Sequence, residues 1–265
     1  MKSILVATDF SASADNAVRY AANMAKQFGA QLTVLHVYQI PISMSDVPVL
    51  MVSAEELKNN ADEGLKNVKA DLSRDFPGLT IETISRLGDV TTEVNELSEK
   101  TNPFAVVVGK HGASGVERFL FGSTALSLIR SSKTPVITVP DTTVEFRIHN
   151  IALASDGNAL EGHEAWIRNF VSETKARLHI VHVKTEGEEK MDLHTILPDL
   201  HPDCHTLDGE NFSDAIGNFM LDNNMDMLMV LPQKHSMIER MIFKTHTSEL
   251  IKNIVYPVLT IGTDS

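Results

Sequence analysis

Short runs of consecutive apolar and β-branched residues alternate along this chain with longer stretches in which apolar positions return every three or four residues. In the first half the short runs are SILVAT, LTVLHV, LTIETIS, FAVVVG and PVITVP. Several are apolar at successive positions, which predicts strands covered on both faces. The stretches between them, Ala14 to Phe28, Ala54 to Arg74, Thr91 to Lys100 and Ser123 to Ser131, have helical spacing. Ser11 or Ser13 is placed to cap the first of these, and Gly29 stands where a helix end takes a left-handed residue. Strands alternating with helices in this way predict a doubly wound α/β domain, its sheet parallel, open and five-stranded in the order 3-2-1-4-5.

The pattern then repeats. ILVATDFSASADNAVRYAANMAKQFGAQLTVLHV returns as IALASDGNALEGHEAWIRNFVSETKARLHIVHV from Ile151, which sets Asp156 over Asp9. ERFLFGSTALSLIRSSKTPVITVP returns as ERMIFKTHTSELIKNIVYPVLTIG, which sets Glu239 over Glu117 and Pro257 over Pro135. The spacing between copies falls from 147 at the aspartates to 122 at the prolines, so the second copy lacks roughly 25 residues, mostly from ISMSDVPVLMVSAEELKNNADEGLKNV. Two domains of one fold are therefore expected, 1–142 and 148–265, with the boundary in DTTVEFR. The last strands, PVITVP and PVLTIG, are short and apolar and suit sheet edges.

Composition narrows the function. Lys and Arg number 23 against 35 Asp and Glu, a formal charge of -12, which disfavours nucleic acid as a partner. One cysteine, Cys204, excludes an internal disulfide. The apolar start of MKSILVATDFS is too brief for a signal-peptide core or a membrane span, so a cytosolic protein is expected.

In a doubly wound sheet a ligand sits where strand order reverses, here between the loops after the first and fourth strands. Those loops are TDFSAS and GKHGASGVERFLFGST. Gly109 and Gly112 can turn backbone amides toward an anion without a Cβ in the way, and Gly122 and Ser123 fall where the next helix begins. A phosphate-bearing ligand is the chemistry such a loop favours. The Gly109, Gly112, Gly122-Ser123 spacing resembles the ATP-binding signature of the universal stress protein family. ILVATDFS, VLHV, LGD at 87–89 and TPVITVP agree with that family too, so the chain resembles a tandem universal stress protein.

The resemblance implies a nucleotide site in the first copy. Ala7, Thr8 and Asp9 would lie near the adenosine, Val37 at the adenine edge and Val108 beneath the nucleoside. Gly109 and Gly112 would approach ribose and phosphates, and Gly122, Ser123 and Thr124 would hold the phosphate chain of ATP, or of ADP or AMP, with Mg²⁺ bridging the phosphates. It also implies association through the last strand, hence an intramolecular pseudo-dimer across a pseudo-twofold axis, with a homodimer of the chain left open. In the second copy Leu231, Lys234 and Lys244 replace the glycines, Thr245 stands over Ser123 and Pro232 removes a donor, so that copy is expected to be a structural or regulatory partner.

Other groups weigh less. His111, Glu117 and Arg118 lie in the Gly loop without a positioned partner, and His36 and His182, closing the second strand of each copy, suit hydrogen-bonding roles. His194, His201, Cys204 and His205 are permissible metal ligands in a spacing that fits no standard zinc motif. A nucleotide-binding regulator without catalytic residues is the expectation. The alternatives are a slow ATPase, or a self-phosphorylating enzyme with Ser123 or Thr124 as acceptor, and a structural protein without nucleotide.

Overall fold

A computed structural model describes residues 2–40, 53–110, 121–143, 145–155, 160, 162–184, 192–209, 212–231 and 255–261. The first half runs β1 (Ser3–Thr8), α1 (Ala12–Phe28), β2 (Gln31–Tyr38), α2 (Ala54–Asp75), β3 (Ile81–Leu87), α3 (Val90–Thr101), β4 (Ala105–Gly109), α4 (Ser123–Ser131) and β5 (Val136–Val139). The second runs β6 (Asn150–Ala154), α5 (Glu164–Thr174), β7 (Arg177–Lys184), two 3₁₀ turns (Leu193–Thr195 and Pro198–Leu200), β8 (Asp203–Asp208), α6 (Phe212–Asp222), β9 (Met227–Val230) and β10 (Val258–Thr260).

The strands form one sheet of ten in the order β3-β2-β1-β4-β5-β10-β9-β6-β7-β8. Within each half every pairing is parallel, and both halves have the expected 3-2-1-4-5 order. The halves meet where β5 and β10 pair antiparallel, with Leu259 opposite Ile137, Val258 opposite Thr138 and Thr260 opposite Val136. Since Pro257 is the repeat equivalent of Pro135, Leu259 is the equivalent of Ile137. A pseudo-twofold axis therefore passes between these two side chains, both fully buried.

The consecutive apolar residues of the strands feed two core layers, one on each face of the sheet. Ile4, Val6, Leu32, Val34 and Val107 pack with α1, α2 and α5, while Leu5, Leu35, Val106 and Val108 pack with α3, α4 and α6. This double burial is why those strands show no polar alternation. The helices stop as their sequences dictate: Gly29 ends α1 in the left-handed conformation at φ 59, and Lys175 ends α5 at φ 56. Ser11 caps α1 by accepting the Ala14 N–H. Ser13 instead donates to the Asp141 carboxylate.

The seam between halves is aromatic. Trp166 stacks on Phe104 at 5.0 Å and donates its indole N–H to the Phe104 carbonyl at 3.1 Å, while Phe170 lies against Phe28, Phe104 and Trp166. Phe146 and Ile148, in the chain joining β5 to β6, are buried in the same layer. The buried Asn16 amide ties α1 to that connection through the carbonyls of Pro140 at 2.7 Å and Thr143 at 2.8 Å.

The stretch that carries His194, His201, Cys204 and His205, for which no strand was expected from the sequence, contains β8. An edge strand needs fewer apolar positions than a central one, and DCHTLD places only Cys204 and Leu207 against the layers. The missing residues of the second copy are also located: β2 and β3 are joined by residues 39–80, including α2, but β7 and β8 by 185–202.

Candidate functional site

Strand order reverses between β1 and β4, and a cavity of about 310 Å³ opens at their carboxyl ends. Ala7, Thr8, Asp9, Val37, Val108, Gly109, Gly122, Ser123 and Thr124 line it, and Ala14, Leu35, Val90 and Ala125 complete the wall. Of the residues singled out from the sequence, Gly112 lies outside the described residues, as do His111, Glu117, Arg118 and the second-half Asp156, Pro232, Lys234, Lys244 and Thr245. Leu35, Val37, Val90 and Val108 make one side apolar, whereas Thr8, Asp9, Ser123 and Thr124 supply hydroxyls and a carboxylate.

The β1 side is fixed by short-range bonds. The Thr8 carbonyl accepts from His36 Nδ1 at 2.8 Å, which sets the imidazole tautomer because a carbonyl can only accept. Thr8 Oγ1 takes the Phe10 N–H at 3.1 Å, and Asp9 Oδ1 takes the Ser11 N–H at 3.0 Å. These bonds draw Phe10 to φ 62, a left-handed conformation costing a residue with a Cβ about 1–2 kcal/mol. Its ring stacks on His36 at 4.2 Å and lies over Gly64 of α2, where an added Cβ would come within 2.6 Å of the ring. Phe10 thus wedges the loop between β2 and α2. His182 makes the matching bond to the Ser155 carbonyl at 3.1 Å, so both histidines serve the chain turn after the first strand.

The β4 side departs from the sequence reading in two details. A Cβ on Gly109 would lie 2.9 Å from Ser13 Oγ and 3.0 Å from the Ser13 carbonyl oxygen, so α1 itself, approaching closely, requires glycine there. The Gly122 N–H is also committed, donating to the Lys110 carbonyl at 2.7 Å. This bond pins the start of α4 to the end of β4. The amides of the first turn, at Ser123, Thr124 and Ala125, are the ones a helix start leaves without intrahelical acceptors, and the N-cap, Gly122, has no side chain to take them. Lys110 is buried beside this turn, and burial lowers its pKa from the ordinary value against the opposing charge of Asp141.

In the second half Leu231 occupies the place of Gly109 and is buried, with Leu160 packed against the same layer. The first described helix after β6 is α5, which begins at Glu164. The candidate metal ligands are not assembled. His194 and His201 lie in the 3₁₀ turns, Cys204 Sγ contacts the Pro202 carbonyl at 3.8 Å, and His205 pairs with His179. Among the described residues no three His, Cys, Asp or Glu side chains converge as metal ligands. Among them also, no helix is long and apolar enough to cross a membrane.

Sequence analysis missed Ala14, Leu35, Val90 and Ala125. Val90 had a signal: it follows the LGD tripeptide, whose Asp89 caps α3 through the Thr92 N–H at 3.0 Å.

Known proteins resemble this chain in both sequence and fold. The profile of the universal stress protein family matches residues 1–140. A universal stress protein of Mycolicibacterium smegmatis is 34% identical over 140 residues, 51% of this chain, and the match spans only 47% of that relative. Universal stress protein Slr1230 of Synechocystis is 25% identical over 294 residues, covering 98% of this chain and 99% of its own. In fold, a universal stress protein from Archaeoglobus fulgidus superposes with a TM-score of 0.73 at 20% identity, over 98% of both chains.

Proposed function

The chain belongs to the universal stress protein family, and from that premise we propose that its N-terminal domain, 1–142, is an adenine-nucleotide-binding regulatory module, paired within the chain to a C-terminal domain, 148–265, that has lost the site. The observation that carries this reading is one cavity at the strand reversal, with an apolar wall on its β2 side and the uncapped start of α4 on the other.

The residues fit the ligand. Val37, Leu35 and Val108 suit the faces of a purine, Asp9 suits a sugar hydroxyl, and the Ser123 and Thr124 amides and hydroxyls suit phosphate, as a helix start carries partial positive charge. Because the described residues converge on no metal, Mg²⁺ would enter with the phosphate chain and neutralise part of its charge. Gly112 remains assigned to the phosphates by the family motif alone.

Binding is preferred over hydrolysis, Asp9 being the only carboxylate among the described residues of the cavity wall. A cytoplasmic regulator whose partner choice follows nucleotide occupancy is the function this supports. The test is to denature the purified protein, chromatograph the released small molecules, and titrate ATP and AMP calorimetrically into the emptied protein. Nucleotide is expected in the supernatant or in the titration, with binding abolished by Gly122→Lys at an unchanged circular dichroism spectrum. No released nucleotide and no heat from either ligand would overturn the reading.

A further inference from the structure

The outer edge of the second half carries two histidines whose arrangement has no counterpart in the first. His179 of β7 lies diagonally across from His205 of β8, with Nδ1 of the former 3.1 Å from Nε2 of the latter and the rings stacked at 5.3 Å. Strand pairing sets Asp203 opposite His179 and His205 opposite Val181. The matching first-half positions are Thr33 and Ile84, from the pairing of β2 with β3. Phe219 of α6 closes over His205 at 4.8 Å.

The proton positions follow from burial. His179 Nε2 is buried and has no hydrogen-bond partner among the described residues. A proton there would be a donor without an acceptor, a costlier state than a bare lone pair, so the proton sits on Nδ1 and is donated to His205 Nε2. Asp203 Oδ2, 3.6 Å from that Nδ1, favours the same tautomer. The neutral pair is then closed to further protons. One added at His205 Nε2 would set donor against donor, and one added at His179 Nε2 would bury an unsatisfied N–H.

The charges facing the pair are Asp203 on β8 and Arg177 on β7, which are bound to each other, and α6 contributes the apolar Phe219. Burial lowers the pKa of both imidazoles, with Asp203 opposing. A histidine whose folded pKa is depressed gives stability that is fully present above its unfolded value, about 6.5, and is lost as pH falls through the folded value.

We propose that the His179–His205 pair is an acid-released fastening, by which proton uptake parts the two rings and frees β8 and α6 from β7 while the opposite edge, with the non-titrating Thr33 and Ile84 at the matching positions, stays closed. The feature does not depend on a ligand at the first-half cavity.

Hydrogen exchange read by mass spectrometry tests it, at pH 7.5 and pH 5.0 and corrected for the intrinsic rate. Peptides from 203–222 should lose protection by roughly tenfold or more at pH 5.0 relative to peptides from 81–101. His205→Gln keeps an acceptor for His179 but cannot titrate near pH 6, and it should shrink the acid response to a fraction of the wild-type fold-change, since His179 alone then remains to titrate. His179→Thr, which copies the first half, should do the same and serves if the glutamine variant fails to fold. Equal protection of the wild-type edge at both pH values, or an undiminished acid response in the variants, would overturn the proposal.

Discussion

Gly109→Ala puts a single methyl group into the narrowest contact of the candidate site. The new Cβ would lie 2.9 Å from Ser13 Oγ, 3.0 Å from the Ser13 carbonyl oxygen and 3.1 Å from its carbonyl carbon. The hydroxyl can rotate away, but the carbonyl belongs to the first turn of α1 and moves only with the helix. Two effects oppose each other. Gly109 has no left-handed φ, so alanine fits the backbone and by restricting the unfolded chain would add about 0.4–1 kcal/mol of stability. Overpacking against an immobile neighbour costs about 1–3 kcal/mol, so the steric clash prevails. A net loss of about 1–2 kcal/mol is expected, seen as a lower guanidinium midpoint at unchanged slope. Nucleotide affinity should fall with it, because the displaced turn carries Ala14 of the cavity wall. Gly217→Ala in α6 is the control: nothing lies within 4 Å of its added Cβ, so it should gain about 0.5–1 kcal/mol. A Gly109→Ala protein as stable as wild type, or one that shifts in the same direction as Gly217→Ala, would refute the close-approach argument.

Phe10→Ala removes the ring held between His36 and Gly64, and should weaken nucleotide binding roughly tenfold while costing only about 1 kcal/mol, since the ring is 40% exposed. Calorimetric titration beside a denaturation curve separates the two, and equal affinity would show that the wedge does not order the Thr8–Asp9 turn. Asn16→Ala orphans the Pro140 and Thr143 carbonyls and should cost about 2 kcal/mol, checked by the same denaturation curves. Trp166→Phe keeps the stack on Phe104 but deletes the indole N–H bond, for about 1 kcal/mol. Trp166 is the only tryptophan, so in the wild type its fluorescence and the far-ultraviolet dichroism should change in one coincident transition if the shared sheet unfolds as a unit.

Much of the architecture was legible because buried parallel strands and amphipathic helices leave strong periodic marks, and because the repeat supplied each half with a second reading. The strands SILVAT and LTVLHV and the helix from Ser123 to Ser131 fall within a residue or so of their observed limits. Strand β8 was hidden because an edge is half polar, and its Cys204 and His205 read as permissible metal ligands until the fold set His205 against His179 of β7. The cavity could be placed because it follows from strand order alone. What the sequence could not distinguish was why each glycine stands where it does. Gly109 answers to Ser13, more than 90 residues earlier, and Gly122 spends its amide on Lys110; both are tertiary facts that no local spacing encodes.

The antiparallel joint through Ile137 and Leu259 has a consequence for stoichiometry. Separate subunits sharing such a strand could sort into like pairs, each with two equivalent clefts. Here β5 and β10 of one polypeptide pair with each other, and covalent linkage at an effective concentration on the order of millimolar or above favours this mismatched couple over like pairs through that strand. An occupant of the first-half cleft would then saturate at one equivalent per polypeptide along a simple hyperbola, and the worn module would be free to drift toward work that a symmetric dimer could not divide.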